Sequence, residues 1–552
     1  MIKTSGTIID VSRKRKKMRK IPMSVKKPVS QYVAFLRSPF KGRPPVMFFP
    51  YPSYVAEKKE EFGRVFFKPQ DDLGPLTMRF KISETTNIYN AVVNACKAAG
   101  MRLVGERQML KKKKQAQGYE SSSSSEDEDD EDEDENNFNL LFSGAVKDET
   151  MRSIRSYQKV NHFPNSFNIG RKDAMWNNYY VLQQSYPDEF DFCPRHYVFP
   201  QDSDDFETAR DNPVDDNLKL WIFKPSASSC GKGIKILTKD FPIPQAKKGF
   251  VISDYISNPH LIEGLKYDLR VYVLVTSYDP LIIYIYEDGL TRFATDKYTL
   301  DEEQFENRFV HLTNYSIQKK SETYQQNKSR ASGNLRASKW SLKTLQKVFE
   351  EHNKDYKSIH KKMVDLIVKT IVCVEPPIME GCKNYCKDSR ICYELYGFDI
   401  MIDSNLKPWI LEVNISPSFS SSSPFDKTLK TKLICDTLTI VGVKPTNHEK
   451  YEQEEIKKMK SKTLGHNAEE DKSESNEKDI NEIASDTIDD KDVNLIIEFE
   501  EQIRRGQNFE LIFPVKKTFK KYLKYFQEKR YNNYLLWNHI QDPLVDIKSL
   551  AE

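Results

Sequence analysis

No apolar run in the chain reaches the roughly 18–20 residues a membrane-spanning helix needs, so no membrane partner is expected. Cysteine is sparse, eight in 552 residues. That fits reduced cytosolic thiols better than a disulfide scaffold. Cys373, Cys382, Cys386 and Cys392 cluster in sequence, but with CxxxC spacing, no CxxC pair and no nearby histidine, so free thiols fit better than zinc. The basic cluster Arg13–Lys20 is followed by no apolar segment, so no secretory signal is expected. No repeat of 20–50 residues is visible, which argues against a solenoid or propeller. RNA-recognition, zinc-finger and helix-turn-helix signatures are missing too, so no nucleic-acid partner is expected.

Net charge also looks scarce: 85 Lys+Arg against 81 Asp+Glu, or +4. It is segregated rather than absent. Glu126–Glu135 is ten consecutive acids, and 449–492 holds fifteen acids against eight bases. Without these two stretches the body carries +21. A basic body points to an acidic partner. The length predicts more than one domain. The expected organisation is a basic flexible tail (1–45), a small folded unit (46–110) and a Lys/Ser/acidic low-complexity linker (111–138). A main domain (139–444), an acidic disordered linker (445–492) and a basic, aromatic helical element (493–552) follow.

Within 139–444, β-branched and aromatic runs of strand length recur at Leu220–Phe223, Ile234–Leu237, Phe250–Ile256, Leu269–Thr276, Leu281–Tyr286, Tyr393–Ile402 and Trp409–Val413. Helical periodicity lies at Leu342–His352, Ile359–Val374 and Asp426–Val441. Strands mixed with helices predict an α/β or α+β fold.

Three segments carry chemistry. In Trp221-Ile-Phe-Lys-Pro-Ser-Ala-Ser-Ser-Cys-Gly-Lys-Gly-Ile234 a strand ends at Lys224 and a small-residue loop follows. Glycines let backbone N–H groups approach phosphate, and Lys224 and Lys232 neutralise it. The spacing is not that of a Walker loop. A plain β-hairpin turn explains this segment equally well. In the second segment, Glu412 and Asn414 share one strand face, because side chains alternate. Asp399, on the preceding strand, meets them. Three hard oxygen donors suit Mg²⁺, and acids inside Trp-Ile-Leu-Glu-Val-Asn-Ile are costly if unpaired. In the third, Asp268 and Arg270 lead a strand, and Arg offers a rigid donor fork for carboxylate or phosphate. Arg292 and His311-Leu-Thr-Asn-Tyr-Ser316 are further polar candidates.

In this order, Lys224 before its loop, Asp268-Leu-Arg270, Leu312-Thr-Asn-Tyr315, Gly397-Phe-Asp-Ile400 and Leu411-Glu-Val-Asn-Ile-Ser-Pro-Ser418 resemble the tubulin-tyrosine-ligase-like family, from about Ser153 to Gly442. His162-Phe-Pro-Asn-Ser-Phe-Asn-Ile-Gly-Arg-Lys172 and Thr276-Ser-Tyr-Asp-Pro-Leu281 look most like its polyglutamylase branch, of the side-chain-initiating type. The resemblance implies an ATP-grasp fold, ATP and Mg²⁺ (two ions), and these roles. Lys224, Cys230, Gly231, Lys232, Gly233 and Ile234 would hold phosphates. The strand Val251, Ile252, Ser253, Asp254, Tyr255 and Ile256 would meet adenine. Lys266, Asp268, Thr313 and Asn314 would face the nucleotide. Asp399, Glu412 and Asn414 would bind metal. Arg292, Tyr315, Ser316, Lys339 and Lys430 would form the glutamate pocket, and Arg270, Glu412 and Lys232 would act in catalysis. Two positions depart from the branch: Cys230 stands where it usually has arginine, and Ser253-Asp-Tyr-Ile256 replaces Gln-Arg/Lys-Tyr-Ile.

The resemblance implies a ligase that joins free L-glutamate to the γ-carboxylate of a glutamate in the tubulin tail. Partners would be tubulin and microtubules, and the chain a monomer. The location would be cytoplasm and cytoskeleton, with cilium, axoneme or basal body. A glycine or tyrosine ligase of the same fold, or a catalytically weak microtubule-binding protein, are the alternatives. The basic, aromatic stretch Lys516–Tyr534 reads either as a helix packed on the core or as a microtubule contact. The Glu126–Glu135 run resembles the acidic tail such an enzyme would modify.

Overall fold

The computed structural model describes residues 31–55, 57–59, 63–105, 136–211, 219–226, 231–243, 249–328, 335–463 and 479–550. The Arg13–Lys20 cluster, the Glu126–Glu135 run and Cys230 lie outside them.

The centre is an antiparallel sheet. Two long strands, β5 (Leu265–Tyr278) and β6 (Leu281–Lys297), form its core, with β7 (Lys339–Ser341) beside β6, and β8 (Glu394–Ile402) then β9 (Pro408–Asn414) beyond β5. A smaller antiparallel sheet holds β1 (His196–Phe199), β2 (Trp221–Pro225), β3 (Lys235–Leu237) and β4 (Phe250–Asp254), in the order β3-β2-β4-β1. Every run read as a strand in the main domain is a strand.

The period of two explains how the central sheet faces two ways. On β5, Tyr267, Leu269, Val271, Val273 and Val275 point into one apolar core. Phe398 and Ile400 on β8 and Ile410 and Val413 on β9 join them against helices α1 (Lys172–Ser185), α2 (Leu342–Glu351) and α3 (Tyr356–Tyr385), the last supplying Ile359, Met363, Leu366, Ile367 and Ile371. Tyr272 and Leu274 point to the opposite core, shared with helix α4 (Pro424–Val441). Lys266, Asp268 and Arg270 fall in that second register, so the alternation that buries the odd residues places this charged row on the other face.

Four domain expectations change. The stretch 1–45 contains a buried strand, Tyr32–Leu36, paired with Val46–Met47 and Val65–Pro69. Its apolar sequence Tyr-Val-Ala-Phe-Leu is costly to leave in water. The 46–110 unit does not end before the linker: Arg79–Ile82 pairs in parallel with Arg102–Leu103 on one side and Leu140–Phe142 on the other. The low-complexity segment is thus inserted between two strands of one sheet. The 445–492 stretch holds helix α5 (His448–Thr463). Lys450–Glu454 and Lys458–Glu455 pairs line it, and it docks through Tyr451 on Tyr157 and through Glu452, 2.8 Å from Arg155.

The C-terminal element is not helical throughout. Helix α6 (Asp490–Ile503) leads to strand β10 (Phe509–Phe513), which pairs with β6 at Ile283–Tyr286. Two further helices follow, Phe519–Leu523 and Tyr531–Gln541. Phe519, Tyr522, Tyr525 and Trp537 are buried, and Phe519 stacks on Trp537 at 4.6 Å. The aromatics therefore belong to the core. Lys521 pairs with Asp365, and Lys524 with Glu189.

Candidate functional site

A cleft opens between the small sheet and the charged face of the central sheet. Lys224, Lys266, Asp268, Asp399 and Glu412 line it together with Thr313 and Asn314. Ile222, Ile234, Ile256, Leu312, Met401 and Leu411 form its apolar walls. Lys224 is buried at the end of β2, and burial, aided by Lys172, pulls it down to about 8. Lys266 is pulled further, to about 7; burial and Lys224 lower it while Asp268 opposes them. Cations held this tightly in an apolar-walled slot favour an incoming anion with an apolar end, and a nucleotide polyphosphate has both features.

Strands β2 and β3 pair as an antiparallel hairpin, as the hairpin reading expects. Gly231 has φ +69°, and a Cβ there would lie 2.7 Å from Asn314 Oδ1. Only glycine lets this turn close onto the Thr313–Asn314 segment. Arg308 fastens it by donating to the Gly231 carbonyl. Lys232 is exposed beside it and Gly233 also has positive φ.

The expected adenine strand divides. Val251, Ile252 and Ser253 stand inside the small sheet with partners on both sides and do not line the cleft. Asp254, Tyr255 and Ile256 do. Ser253 Oγ is fully buried and has no hydrogen-bond partner among the described residues.

On the central sheet, Asp399 lies opposite Glu412, and Gly397 opposite Asn414. The three expected metal donors are therefore neighbours on adjacent strands. Among the described residues no three His, Cys, Asp or Glu side chains are grouped as a metal site, because the third donor here is an amide. Asp399 accepts from Arg270 Nε at 2.5 Å and Nη2 at 3.0 Å, and lies 2.9 Å from Arg292 Nη2. Burial pushes Asp399 up, but the two guanidiniums outweigh it and hold it well below the carboxylate range. Glu412 is 2.9 Å from Lys172. Two carboxylates and the Asn414 amide, whose Nδ2 donates to the Gly397 carbonyl at 3.1 Å, are the groups from which a hard cation such as Mg²⁺ would draw oxygen donors. Gly397 makes room for this: a Cβ there would lie 2.9 Å from Arg270 Cδ.

Arg292 does not stand free for a substrate carboxylate. Its Nε donates to Asp268 at 2.8 Å, and Nη2 bonds both Asp268 and Asp399. Beyond it, Lys339 Nζ lies 3.8 Å over the Tyr315 ring and 3.0 Å from Asp426. Lys430 Nζ donates to the Ser420 carbonyl at 2.6 Å, and burial lowers it to about 8. Ser316 follows Tyr315 on the short helix Tyr315–Gln318. Arg270, Arg292, Lys339 and Lys430 thus face Asp268, Asp399 and Asp426, one cation in excess.

Sequence reasoning missed Asp426, Lys172, Arg308 and the buried His162–Glu394 pair. Asp426 was findable: Ser423-Pro424 is a helix-start signature, and Asp426 lies four residues before Lys430, on the same helix face. His162 Nδ1 is 2.6 Å from Glu394, and Nε2 is 2.9 Å from the Ser143 carbonyl. Ser416, two residues past Asn414, lies 3.3 Å from the same Nε2, so this pair supports the strand end that carries the donors.

Residues 149–451 match the model of the tubulin-tyrosine ligase family. Human tubulin monoglutamylase TTLL4 is 38% identical over 411 residues, 71% of this chain and 34% of that protein. Mouse tubulin polyglutamylase TTLL5 is 39% identical over 311 residues, 55% of this chain and 23% of its own length. The Caenorhabditis elegans tubulin polyglutamylase ttll-4 is 34% identical over 422 residues, 72% and 66% respectively. The chain thus spans about a third of the length of the human relative.

Proposed function

The chain belongs to the tubulin-tyrosine ligase family, and from that premise we propose that it is an ATP-dependent ligase adding free L-glutamate to glutamate side chains of the tubulin tail. One observation carries the reading: a single sheet face joins a cation-lined cleft, which Asp399 and Glu412 also line, to the buried cations Arg292, Lys339 and Lys430. Such a face holds a polyphosphate on one side and an acidic amino acid on the other.

Lys224 and Lys266 would bind and orient the phosphates. Thr313 and Asn314, against the Gly231 turn, would close over them. Asp254–Ile256 and the apolar walls would take the base. Asp399, Glu412 and Asn414 are the residues that would hold Mg²⁺, which when bound neutralises charge on the phosphates. Arg270, held by Asp399, would stabilise the phosphoryl group as it moves. In the first step a carboxylate oxygen of the acceptor glutamate attacks the γ-phosphorus and ADP leaves. The amine of free glutamate then attacks the acyl carbon, phosphate leaves with the bonding pair, and the amine's proton passes to solvent. Lys430 and Lys339 would hold the incoming carboxylates while the amine attacks. The basic body would steer the acidic tail, a contribution that salt weakens. The expected location is microtubule arrays, cilia among them.

The test is mass spectrometry of tubulin tails after incubation with the chain, MgATP and glutamate. Added masses of one glutamate, lost in Glu412→Gln while microtubule co-sedimentation persists, are the expected result. Incorporation of glycine or tyrosine instead would replace the glutamate reading. Co-sedimentation without incorporation by the wild type would leave only a binding protein.

A further inference from the structure

His311 lines the cleft beside Lys266 and Tyr255 and is 3% exposed. Its Nε2 lies 3.1 Å from the Gln304 carbonyl. A carbonyl only accepts, so Nε2 carries the hydrogen, and in a neutral ring Nδ1 is then an acceptor. Nδ1 is 2.9 Å from the Tyr255 hydroxyl, which therefore donates to it. With that hydrogen committed, the Tyr255 oxygen offers its lone pairs to Lys266, whose Nζ donates at 2.8 Å. All three hydrogen bonds run one way, from Lys266 through Tyr255 to His311, and end on a backbone carbonyl.

We propose that His311 is a positioning residue for the nucleotide: acting through Tyr255, it fixes where the Lys266 ammonium points in the cleft. This rests on the nucleotide reading above. The alternative is a purely structural role, because Tyr255, Tyr298 and Phe305 all pack their rings on His311. Packing alone does not require Nδ1 to be an acceptor, whereas the relay does.

The charges around Lys266 set the pH behaviour. Asp268 lies on its own strand and Lys224 reaches it from β2. The Tyr255 ring lies 4.3 Å away and the Tyr298 ring 5.5 Å. Asp399 and Glu412 line the same cleft. His311 is held down to about 4 by burial and by Lys266, so it is neutral at physiological pH, as the relay requires. A polyphosphate beside Lys266 favours its charged form. Above a free-state value of about 7, binding then takes up a proton and affinity falls as pH rises.

The experiment is calorimetric titration of the full chain with a non-hydrolysable MgATP analogue at pH 6.5, 7.5 and 8.5, together with KM and kcat for ATP. Loss of one oriented, charge-assisted hydrogen bond corresponds to about tenfold in affinity. His311→Ala and Tyr255→Phe are expected to weaken binding by about that factor, on KM rather than kcat, and to flatten the pH dependence. His311→Asn places an acceptor oxygen near the Nδ1 position and is expected to restore most of the affinity. Tyr255→Phe keeps the ring packing, so the test survives if His311→Ala fails to fold. Wild-type binding in the Phe variant, or no difference between Asn and Ala, would overturn the role of His311. A wild type that binds no analogue would overturn the nucleotide reading and this proposal with it.

Discussion

Arg292→Met is the most informative single change at the site. Arg292, Asp268 and Asp399 have side chains 10%, 3% and 3% exposed. Methionine keeps much of the volume, so the cavity contribution is small. The loss falls unequally on the two acids. Asp399 keeps both bonds from Arg270, whereas among the described residues both side-chain hydrogen bonds to Asp268 come from Arg292. One stranded buried carboxylate costs roughly 3–5 kcal/mol, so the melting temperature should fall by of order ten degrees. Asp268 would escape by taking a proton, because burial already pushes it up and the opposing guanidinium is gone. Its folded-state value would then lie above the unfolded one of about 3.9. The stability lost is therefore small below that pH and grows as pH rises through the folded value. The gap between wild type and variant should widen from pH 5 to pH 8. Asp268→Asn in the same chain removes the stranded charge and should recover more than half of the loss. Thermal melts of the four chains of this cycle across that range are the assay. A single variant within a degree of wild type at pH 8, or a double variant less stable than Arg292→Met, would refute the reasoning.

Three further outcomes follow from the geometry. Lys430→Met should raise KM for glutamate at least tenfold with KM for ATP little changed, read by initial rates with each substrate varied. Glu394 and the Ser143 carbonyl raise His162 above its ordinary 6.5 despite burial. The pair's stability is thus fully present below about 6.5 and fades as pH climbs through the raised value; Glu394→Gln should melt lower than wild type at pH 6 and lose that dependence. Arg530 and Glu375 form a buried pair, 9% and 0% exposed, so Arg530→Met should cost roughly 3–5 kcal/mol, while Lys524→Ala at the half-exposed Glu189 pair should cost under about 1 kcal/mol, both read by thermal melts.

How much was legible depended on the range of the interaction. The strands and helices of the main domain follow local periodicity, and alternation along Lys266–Leu274 was enough to put Asp268 and Arg270 on one face. Motif order then gathered Lys224, Asp399, Glu412 and Asn414. Pairings across the chain were not legible. Nothing near Arg292 in sequence shows that Asp268 and Asp399 hold it, and nothing near Glu412 points to Lys172. The resemblance assigns Val251 and Ile252 to the adenine together with Asp254–Ile256, and motif order does not distinguish the middle of a strand from its mouth. The helix at His448–Thr463 was hidden by composition: its charges resemble a solvated linker until Arg155, Tyr157 and Tyr451 come together.

The pairing of β10 with β6 sets an order of events during synthesis. Ile283–Tyr286 emerge from the ribosome more than two hundred residues before Phe509–Phe513. At about 5–20 residues per second, that stretch of strand waits roughly 10–50 s for its partner. An apolar strand edge left open for that long invites pairing with another chain. A message cut short after α5 would therefore yield not a trimmed version of the fold but a central sheet with this edge exposed, suited to aggregation and to capture by chaperones. The last strand of the chain acts as the closing seam of the sheet that carries the charged face.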